Sequence, residues 1–198
     1  MCIIDDNWTK QHEGLRLQVY RDTAGNKSIG YGHNLIGGNN THVVAVGASP
    51  SALIDGEATI TVEQADKLFD LDMADLRYAV QRLVPEYNSM PKQVQGVLSD
   101  LVFNMGAGTL SHFHNTLDAF RDRRFSDAAD GLENSQWYGE VGCRSKAIVE
   151  ALREVPDGAT NTCDTHPAVG NEDTVTKCDT SCDKPSIWKS IWNVLTEF

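Results

Sequence analysis

Residues 13–34 read EGLRLQVYRDTAGNKSIGYGHN, and this stretch decides the fold of the N-terminal part of the chain. Apolar residues before a Gly-Asn turn and a second short apolar run after it predict a β-hairpin. Because a hairpin brings its two arms together, Asp22 beside the turn and Ser28 on the second arm are expected on one side of a cleft. Glu13 stands where a first helix should end, so we expect it at the base of that cleft.

Two carboxylates and a hydroxyl in this arrangement suit the cleavage of a glycosidic bond. One carboxylic acid protonates the leaving oxygen, and a second group across the sugar acts as base, nucleophile or stabiliser. The acid must keep its proton near neutral pH, so it needs a drier site than its partner. The alternative is that Asp22 is a solvated acid of the turn and Glu13 a helix-capping acid, and spacing alone does not separate these two interpretations.

The pattern E-x8-D-x5-S, set within EGLRLxxYxDTxGxxxIGxGH, resembles the phage-type lysozymes, glycoside hydrolase family twenty-four. The resemblance resumes in VFNMG (102–106), FHNTL (113–117) and QWY (136–138), and it covers residues 10–154. It implies an α+β, mainly helical fold with two lobes. It also implies hydrolysis of the β-1,4 bond between N-acetylmuramic acid and N-acetylglucosamine in bacterial peptidoglycan, in the service of host cell lysis.

The resemblance assigns catalytic roles to the residues of the hairpin. Glu13 would be the general acid. Asp22, helped by Ser28, would position or activate the water, or stabilise developing positive charge, with inversion at the sugar carbon. The family pattern has threonine where Ser28 stands, so the hydroxyl is kept and one methyl group is lost.

Four further residues are expected by resemblance to contact the glycan: Asn34, Phe103, Thr116 and Gly131. Asn34 replaces an apolar family residue and would add a polar contact. Gly131 stands where the family commonly offers a side-chain amide, so a weaker contact is expected there. Phe103 would line the sugar groove, with a place in the core as the alternative, and Thr116 is also expected to cap a helix.

Two ion pairs are expected to hold the site. Asp72 interrupts the apolar face of a predicted helix, and a part-buried carboxylate needs a partner. In the resembling family the matching acid pairs with the histidine after the hairpin, which is His33 here; the pairing should raise the histidine pKa and lower that of the acid. Arg144 matches a family arginine that would lower the pKa of Glu13 against the effect of burial. His42 is expected to be solvated.

The chain is predicted to consist of a catalytic domain (1–154) and a tail (155–198). The domain has three parts: a β-containing lobe (14–60), a connecting helix (61–84) and a helical lobe (1–13 and 85–154). Local signals place the elements: a first helix over 1–12 with Ile3, Ile4 and Trp8 on one face, a capping box in TVEQ (61–64), and a long loop over 36–59 with one short helix near 51–54.

The tail is polar and acidic and holds three of the five cysteines. One interpretation is a closed tetrahedral zinc site made of Cys163, His166, Cys178 and Cys182. The alternative is one disulfide or reduced thiols, and no metal or other cofactor is expected for the reaction. Residues 186–198 predict an amphipathic helix that docks on the body or, alternatively, inserts at a membrane or wall surface. Cys143 is expected to be a reduced thiol.

Composition and charge limit the classes of partner that we expect this protein to bind. The net charge of -11 argues against nucleic acid. No apolar run approaches the length of about 18 residues that a membrane span needs. The first residues, MCIIDD, lack the basic character of a signal peptide, so we expect a monomer that stays in the host cytoplasm until it is released to the wall or periplasm. Its expected partner is the glycan strand of peptidoglycan.

Two other functions stay open at this point. A lytic transglycosylase would cleave the same bond with one acid, using a hydroxyl of the sugar in place of water. Asp22 and Ser28 argue against it, because that reaction needs no water site. A wall-binding module that has lost catalysis is the non-enzymatic alternative, and the intact pair of Glu13 and Asp22 argues against it.

Overall fold

The computed structural model describes residues 3–22 and 25–161. Their elements follow in the order α1 (Asp6–Glu13), β1 (Arg16–Arg21), β2 (Lys27–Gly30), β3 (His33–Asn34), α2 (Asn40–Ala45), α3 (Pro50–Ile54), α4 (Val62–Leu83), a 3₁₀ helix (Tyr87–Ser89), α5 (Lys92–Ser111), α6 (His114–Arg121), α7 (Phe125–Glu133), α8 (Gln136–Val141) and α9 (Cys143–Arg153). The mainly helical α+β fold predicted from the sequence is confirmed. In this part of the chain, no helix has both the length and the apolar character to cross a membrane.

Helix α1 begins with a side-chain cap and ends where a glycine turns the chain. The Asp5 carboxylate accepts the backbone N–H of Trp8 at 2.8 Å, which satisfies a free donor of the first turn. Gly14 follows the helix with a positive φ of 71°, and this fixes Glu13 as the last helical residue. Ile4 and Trp8 are buried, whereas Ile3 is 55% exposed.

The hairpin is present and carries a third strand. β1 pairs antiparallel with β2, and the register sets Tyr20 opposite Ser28. β3 adds to the other edge of β2, with Ser28 opposite Asn34. Gly32 reverses the chain between these strands with a φ of 104°. The sequence prediction missed β3, since two residues carry no periodic signal.

The expected long loop over 36–59 contains two helices. α3 was predicted near its observed position, but α2 was not. Its neighbouring glycines and asparagines are typical of loops, yet the Asn39 side chain caps the helix by accepting the N–H of Thr41. Val43 from α2 and Leu53 from α3 are then fully buried, so tertiary packing decides this segment.

Helix α4 joins two apolar clusters. The small cluster lies under the sheet and consists of Ile29, Leu35, Val43, Val46, Leu53, Ile60, Ala65 and Leu68. The large cluster takes residues from the middle and end of α4 and from α5 to α9. One helix therefore contributes to both clusters and connects the sheet to the later helices.

The capping box at the start of α4 is confirmed. Gln64 N donates to Thr61 Oγ1 at 3.1 Å, and Thr61 N donates to Gln64 Oε1 at 2.9 Å. We predict that Thr61→Ala lowers the free energy of unfolding by about 1 kcal/mol in urea titrations, because one helix donor loses its partner. Thr109→Ala, at another exposed threonine, is the control. Equal losses in both variants would contradict the role of the cap.

Two later helices differ from the prediction at their boundaries. Gly106 was expected to end α5; it has φ 79° and ψ 152°, and a second helical segment continues past this kink to Ser111. Thr116 was expected to cap α6, which is wrong. Phe113 occupies the capping position without a side-chain hydrogen bond, and Thr116 lies buried inside the first turn. The helix starts earlier than its polar residues indicated.

The cysteine and tail predictions mostly fall outside the described residues. Cys163, His166, Cys178, Cys182 and the C-terminal amphipathic helix all lie there. Cys143 is disulfide-bonded, and its partner lies outside the described residues as well. This corrects the expected reduced thiol, which was inferred from the compartment alone. Residues 3–22 and 25–161 contain no cluster of three or more histidine, cysteine or acidic side chains fit to hold a metal ion.

Candidate active site

Glu13 lies between the start of α9 and the turn that joins β2 to β3. Its side chain is only 6% exposed. Arg144 Nη1, from the first turn of α9, donates to Glu13 Oε1 at 2.7 Å. The other oxygen, Oε2, faces the Gly32 turn, where a Cβ on the glycine would lie 4.0 Å away. The end of α1 therefore delivers one carboxyl group to the junction of the sheet and the helices.

Burial dominates the protonation of Glu13. It raises the pKa to about 7 from an ordinary value of 4.5, against the charge and hydrogen bond of Arg144, which lower it. The arginine thus opposes burial, as expected, but does not outweigh it. A large share of Glu13 is protonated at neutral pH, which suits a general acid. Because Oε1 accepts the arginine N–H, the proton of the neutral acid resides on Oε2.

Arg144 is shared between two carboxylates. Its Nη2 and Nε donate to Asp100 Oδ1 and Oδ2 at 2.5 and 3.1 Å, and Asp100 is fully buried. Thr9 Oγ1 donates to Asp100 Oδ1 at 2.9 Å, which ties α1 to α5. The sequence prediction missed Asp100. Its signal was a carboxylate within the apolar stripe of α5, the same anomaly that drew attention to Asp72.

Asp22 and Ser28 lie on the hairpin. The backbone N–H of Asn26 donates to Asp22 Oδ1 at 2.8 Å, and the Asn26 amide donates to Oδ2 at 3.3 Å, so the turn fixes the carboxylate. Ser28 is buried directly across from Tyr20. Burial raises the pKa of Tyr20, and the charges of Glu13 and Asp22 raise it further. Tyr20, absent from the sequence prediction, is therefore within electrostatic reach of both acids.

The structure brings His33 and Asp72 together and adds a second histidine. His33 Nδ1 lies 2.9 Å from Asp72 Oδ2, and His42 Nδ1 lies 2.9 Å from Asp72 Oδ1. The His42 side chain is 11% exposed, so the expected solvated position is wrong. Helix α2, which the sequence did not reveal, carries His42 onto α4. Asp75 stands 3.3 Å from its Nε2.

His42 makes a pH-dependent contribution to stability. Its hydrogen bond to Asp72 raises the pKa above 6.5, burial lowers it by less, and the charges of Asp72 and Asp75 add to the rise. A raised histidine pKa gives stability that is fully present below the unfolded value and fades as pH rises through the folded value. We predict that His42→Gln costs about 1.5–3 kcal/mol at pH 6 and clearly less at pH 9.

Urea unfolding at the two pH values checks this prediction. His114→Gln, which replaces an exposed histidine, is the matched control and should change little at either pH. A loss from His42→Gln that is the same at pH 6 and pH 9 would mean that packing, rather than the imidazolium charge, holds α2 on α4.

The predicted glycan-binding residues divide into two groups. Thr116 and Gly131 line one pocket of about 400 Å³, together with His112, Phe113, His114, Asn115 and Asn134. A Cβ at position 131 would lie too close to the Thr116 hydroxyl, so a side chain there would require Thr116 to shift. Asn134, about one turn later, also lines this pocket.

Asn34 and Phe103 lie outside the lining of this pocket. Asn34 is buried, and its Oδ1 accepts the backbone N–H groups of Ile36 and Gly37 at 2.9 and 3.0 Å, so it stabilises the turn after β3. Its glycan contact stays a prediction. Phe103 is half-buried, and its ring centroid lies 5.7 Å from that of Phe69 on α4. It packs on the large cluster at the junction with the sheet.

Comparisons with known proteins agree on one family. The phage lysozyme family model matches residues 10–154. The chain is 26% identical over 158 residues to probable T4-type lysozyme 2 of Dictyostelium discoideum, covering 72% of this chain and 89% of that protein. It is 31% identical over 149 residues to peptidoglycan hydrolase gp36 of Pseudomonas phage phiKMV, covering 74% of this chain and 15% of that protein.

A third relative is also a phage protein. The chain is 28% identical over 147 residues to the pre-baseplate central spike protein of Enterobacteria phage T4, covering 70% of this chain and 26% of that protein. The chain therefore spans most of the Dictyostelium protein but a minor part of either phage protein. With a family match over residues 10–154 of 198, the chain belongs to the phage lysozyme family.

Proposed function

We propose that this chain is a lysozyme that hydrolyses the β-1,4 bond between N-acetylmuramic acid and N-acetylglucosamine in peptidoglycan. The observation that carries the proposal is the buried Glu13, whose pKa burial raises to about 7 while Arg144 holds one of its oxygens. A carboxylic acid that is protonated at neutral pH and fixed in orientation is what protonation of a leaving glycosidic oxygen requires.

In the proposed reaction, Glu13 Oε2 gives its proton to the leaving oxygen as the bond to the sugar carbon breaks. The carboxylate that forms is already bonded to Arg144 through Oε1. The guanidinium therefore stabilises a charge that develops during the step and needs no rearrangement to do so. Burial thus favours the protonated acid before the proton transfer, and Arg144 stabilises the carboxylate after it.

In the same displacement, Asp22 accepts a proton from the attacking water, whose oxygen bonds to the sugar carbon. The Asn26 contacts orient the Asp22 carboxylate. The Ser28 hydroxyl, buried on β2 opposite Tyr20, holds that water. Attack from the face opposite the leaving group gives inversion.

The pocket around Thr116 and Gly131 is assigned to the substrate beyond the scissile bond. It combines an aromatic face from Phe113 with polar groups from Thr116 and Asn134. This mixture suits a sugar or its attached peptide, since both present apolar faces and hydrogen-bonding groups.

Muropeptide analysis of digested peptidoglycan tests the function, with wild type beside Glu13→Gln. Reducing-end muropeptides from wild type alone are the expected result, and they would establish hydrolysis together with its acid. Anhydro-sugar products would identify a lytic transglycosylase instead. Binding of glycan without release of any product would identify a wall-binding module.

A further inference from the structure

Asp100 is a buried carboxylate whose position has no explanation in packing alone. It lies on α5 among apolar neighbours and is fully excluded from solvent. It accepts three hydrogen bonds, two from Arg144 and one from Thr9. Burying a charge in this way is costly unless it is paired. Its partner, Arg144, is the group that also binds Glu13.

We propose that Asp100 is a positioning residue for the catalytic acid, which holds Arg144 by two N–H groups and offsets its charge so that Glu13 keeps its proton at neutral pH. This inference rests on the proposed function, because it assigns Glu13 the role of general acid. It adds a residue that acts on Glu13 only through Arg144.

The geometry divides the arginine between the two acids. Asp100 engages Nε and Nη2 in a two-pronged contact, and Glu13 receives Nη1 alone. A two-pronged arginine–carboxylate contact fixes the plane of the guanidinium. An N–H of Nη1 then donates to Oε1, which leaves Oε2 to carry the proton. The Trp8 ring, 5.3 Å from the guanidinium carbon, restricts the other side.

The charge balance favours a protonated Glu13. Arg144 and Asp100 together are neutral, so burial outweighs the cation in setting the protonation of Glu13. Without the Asp100 charge, the arginine would be an uncompensated cation at 2.7 Å, and it would favour the ionised acid. Asp100 itself raises the pKa of Glu13, in the same direction.

Other groups near Glu13 do not substitute for Asp100. From β1, the Tyr20 phenol has its pKa raised by burial and by the charge of Glu13, so it is neutral at pH 7. From α1, burial lowers the pKa of His12, whose ring binds the carbonyl of Trp8. The turn next to Oε2 presents Gly32, which has no charge. Arg144 from α9 and Asp100 from α5 are therefore the charges that set the protonation of Glu13.

A merely structural ion pair would make a different prediction. It would lower stability when broken and reduce activity equally at every pH. A positioning role moves the pH at which Glu13 loses its proton. The alkaline limb of the pH–activity profile reports that proton, so the two roles can be separated by kinetics.

Asp100→Asn is the test, because it removes the charge and keeps the shape. We expect the alkaline limb to move to lower pH by about one pH unit, so that activity at pH 8 falls about tenfold while the acidic optimum changes by less than about threefold. Carboxyl NMR titration of Glu13 should shift in the same direction. Ser99→Ala, which removes a neighbouring buried hydroxyl bonded to Tyr87, should leave both readouts unchanged.

The proposal would be overturned if folded Asp100→Asn kept the alkaline limb of its pH–activity profile at the wild-type pH. An equal loss of activity at every pH would overturn it as well. Asp100→Ser, which also removes the charge, serves if the asparagine variant does not fold. The Glu13 titration is read without substrate, so it fails or succeeds independently of peptidoglycan hydrolysis. A wild type that releases no muropeptides would remove the proposed function, and an unmoved Glu13 titration would remove this inference.

Discussion

Glu13→Gln is expected to lower the rate of peptidoglycan hydrolysis by at least about 10²- to 10⁴-fold, the usual contribution of a general acid. The amide keeps the size of the carboxyl group and its contact with Arg144, but it has no proton to give at Oε2. Substrate binding should therefore change little, and the loss should fall on kcat. Release of reducing ends from purified peptidoglycan measures it.

Glu140→Gln is the matched control, since Glu140 is an exposed acid of α8 outside the site. It should hydrolyse peptidoglycan at the wild-type rate. Near-wild-type turnover by Glu13→Gln would remove Glu13 from the mechanism. In wild type, activity should decline above pH 7, because the pKa of Glu13 is raised to about 7.

Glu13→Gln should also be more stable than wild type above neutral pH. A folded pKa of about 7, above the ordinary 4.5, means that the folded protein binds the Glu13 proton more tightly than the unfolded chain does. Wild-type stability attributable to this group is therefore full below pH 4.5 and is lost as pH rises towards 7. The loss is on the order of 3 kcal/mol, because a tenfold difference in proton affinity is worth about 1.4 kcal/mol.

Urea unfolding of both proteins at pH 5 and pH 8 separates this effect from general changes in packing. The glutamine variant should gain on wild type between the two pH values. A parallel pH dependence in both proteins would mean that Glu13 is ionised in the folded state at pH 5. Burial would then contribute less than the structure implies.

Local sequence signals were sufficient to predict an element where it is long or where capping or turn residues mark its ends. The capping box placed α4, and the turn residues placed the β1–β2 hairpin. They failed for β3 and α2, because elements of two and six residues are decided by what they pack against. Asp72 and Asp100 are both carboxylates among the apolar residues of a helix, but only Asp72 was noticed in the sequence. A charge in an apolar stripe demands a partner, but the stripe does not name it.

The partners came from distant parts of the chain. Asp100 meets an arginine 44 positions later, and His42 meets an acid 30 positions later. A single sequence gives no spacing rule for such pairs. Family resemblance supplied His33 with Asp72, and it supplied Arg144 near Glu13. It did not point to the second histidine or the second acid, which the three-dimensional arrangement revealed.

Arg144→Met should be the most destabilising single change at this site. It leaves Glu13 and Asp100 buried without their cation, and removal of one partner from a buried ion pair costs about 3–5 kcal/mol. The loss should be larger at pH 7 than at pH 5, since acid conditions allow the two carboxylates to take up protons. Urea unfolding at both pH values measures it.

Arg153→Met on the same helix is the matched control. Arg153 pairs with Asp130 and Glu133 but is 41% exposed, so its loss should cost at most about 1 kcal/mol. Equal losses at the two arginines would contradict a special role for burial.

The paired substitution Arg144→Met with Asp100→Leu completes the test. Once both charges are gone, a hydrophobic contact replaces the ion pair, and such replacements are often neutral or stabilising. The double variant should therefore recover part of the stability lost in Arg144→Met alone. It should stay poorly active, because Glu13 would keep its proton but lose the N–H group that orients it. Recovery of stability without recovery of rate would show that this charge network is retained for catalysis, at the expense of the fold.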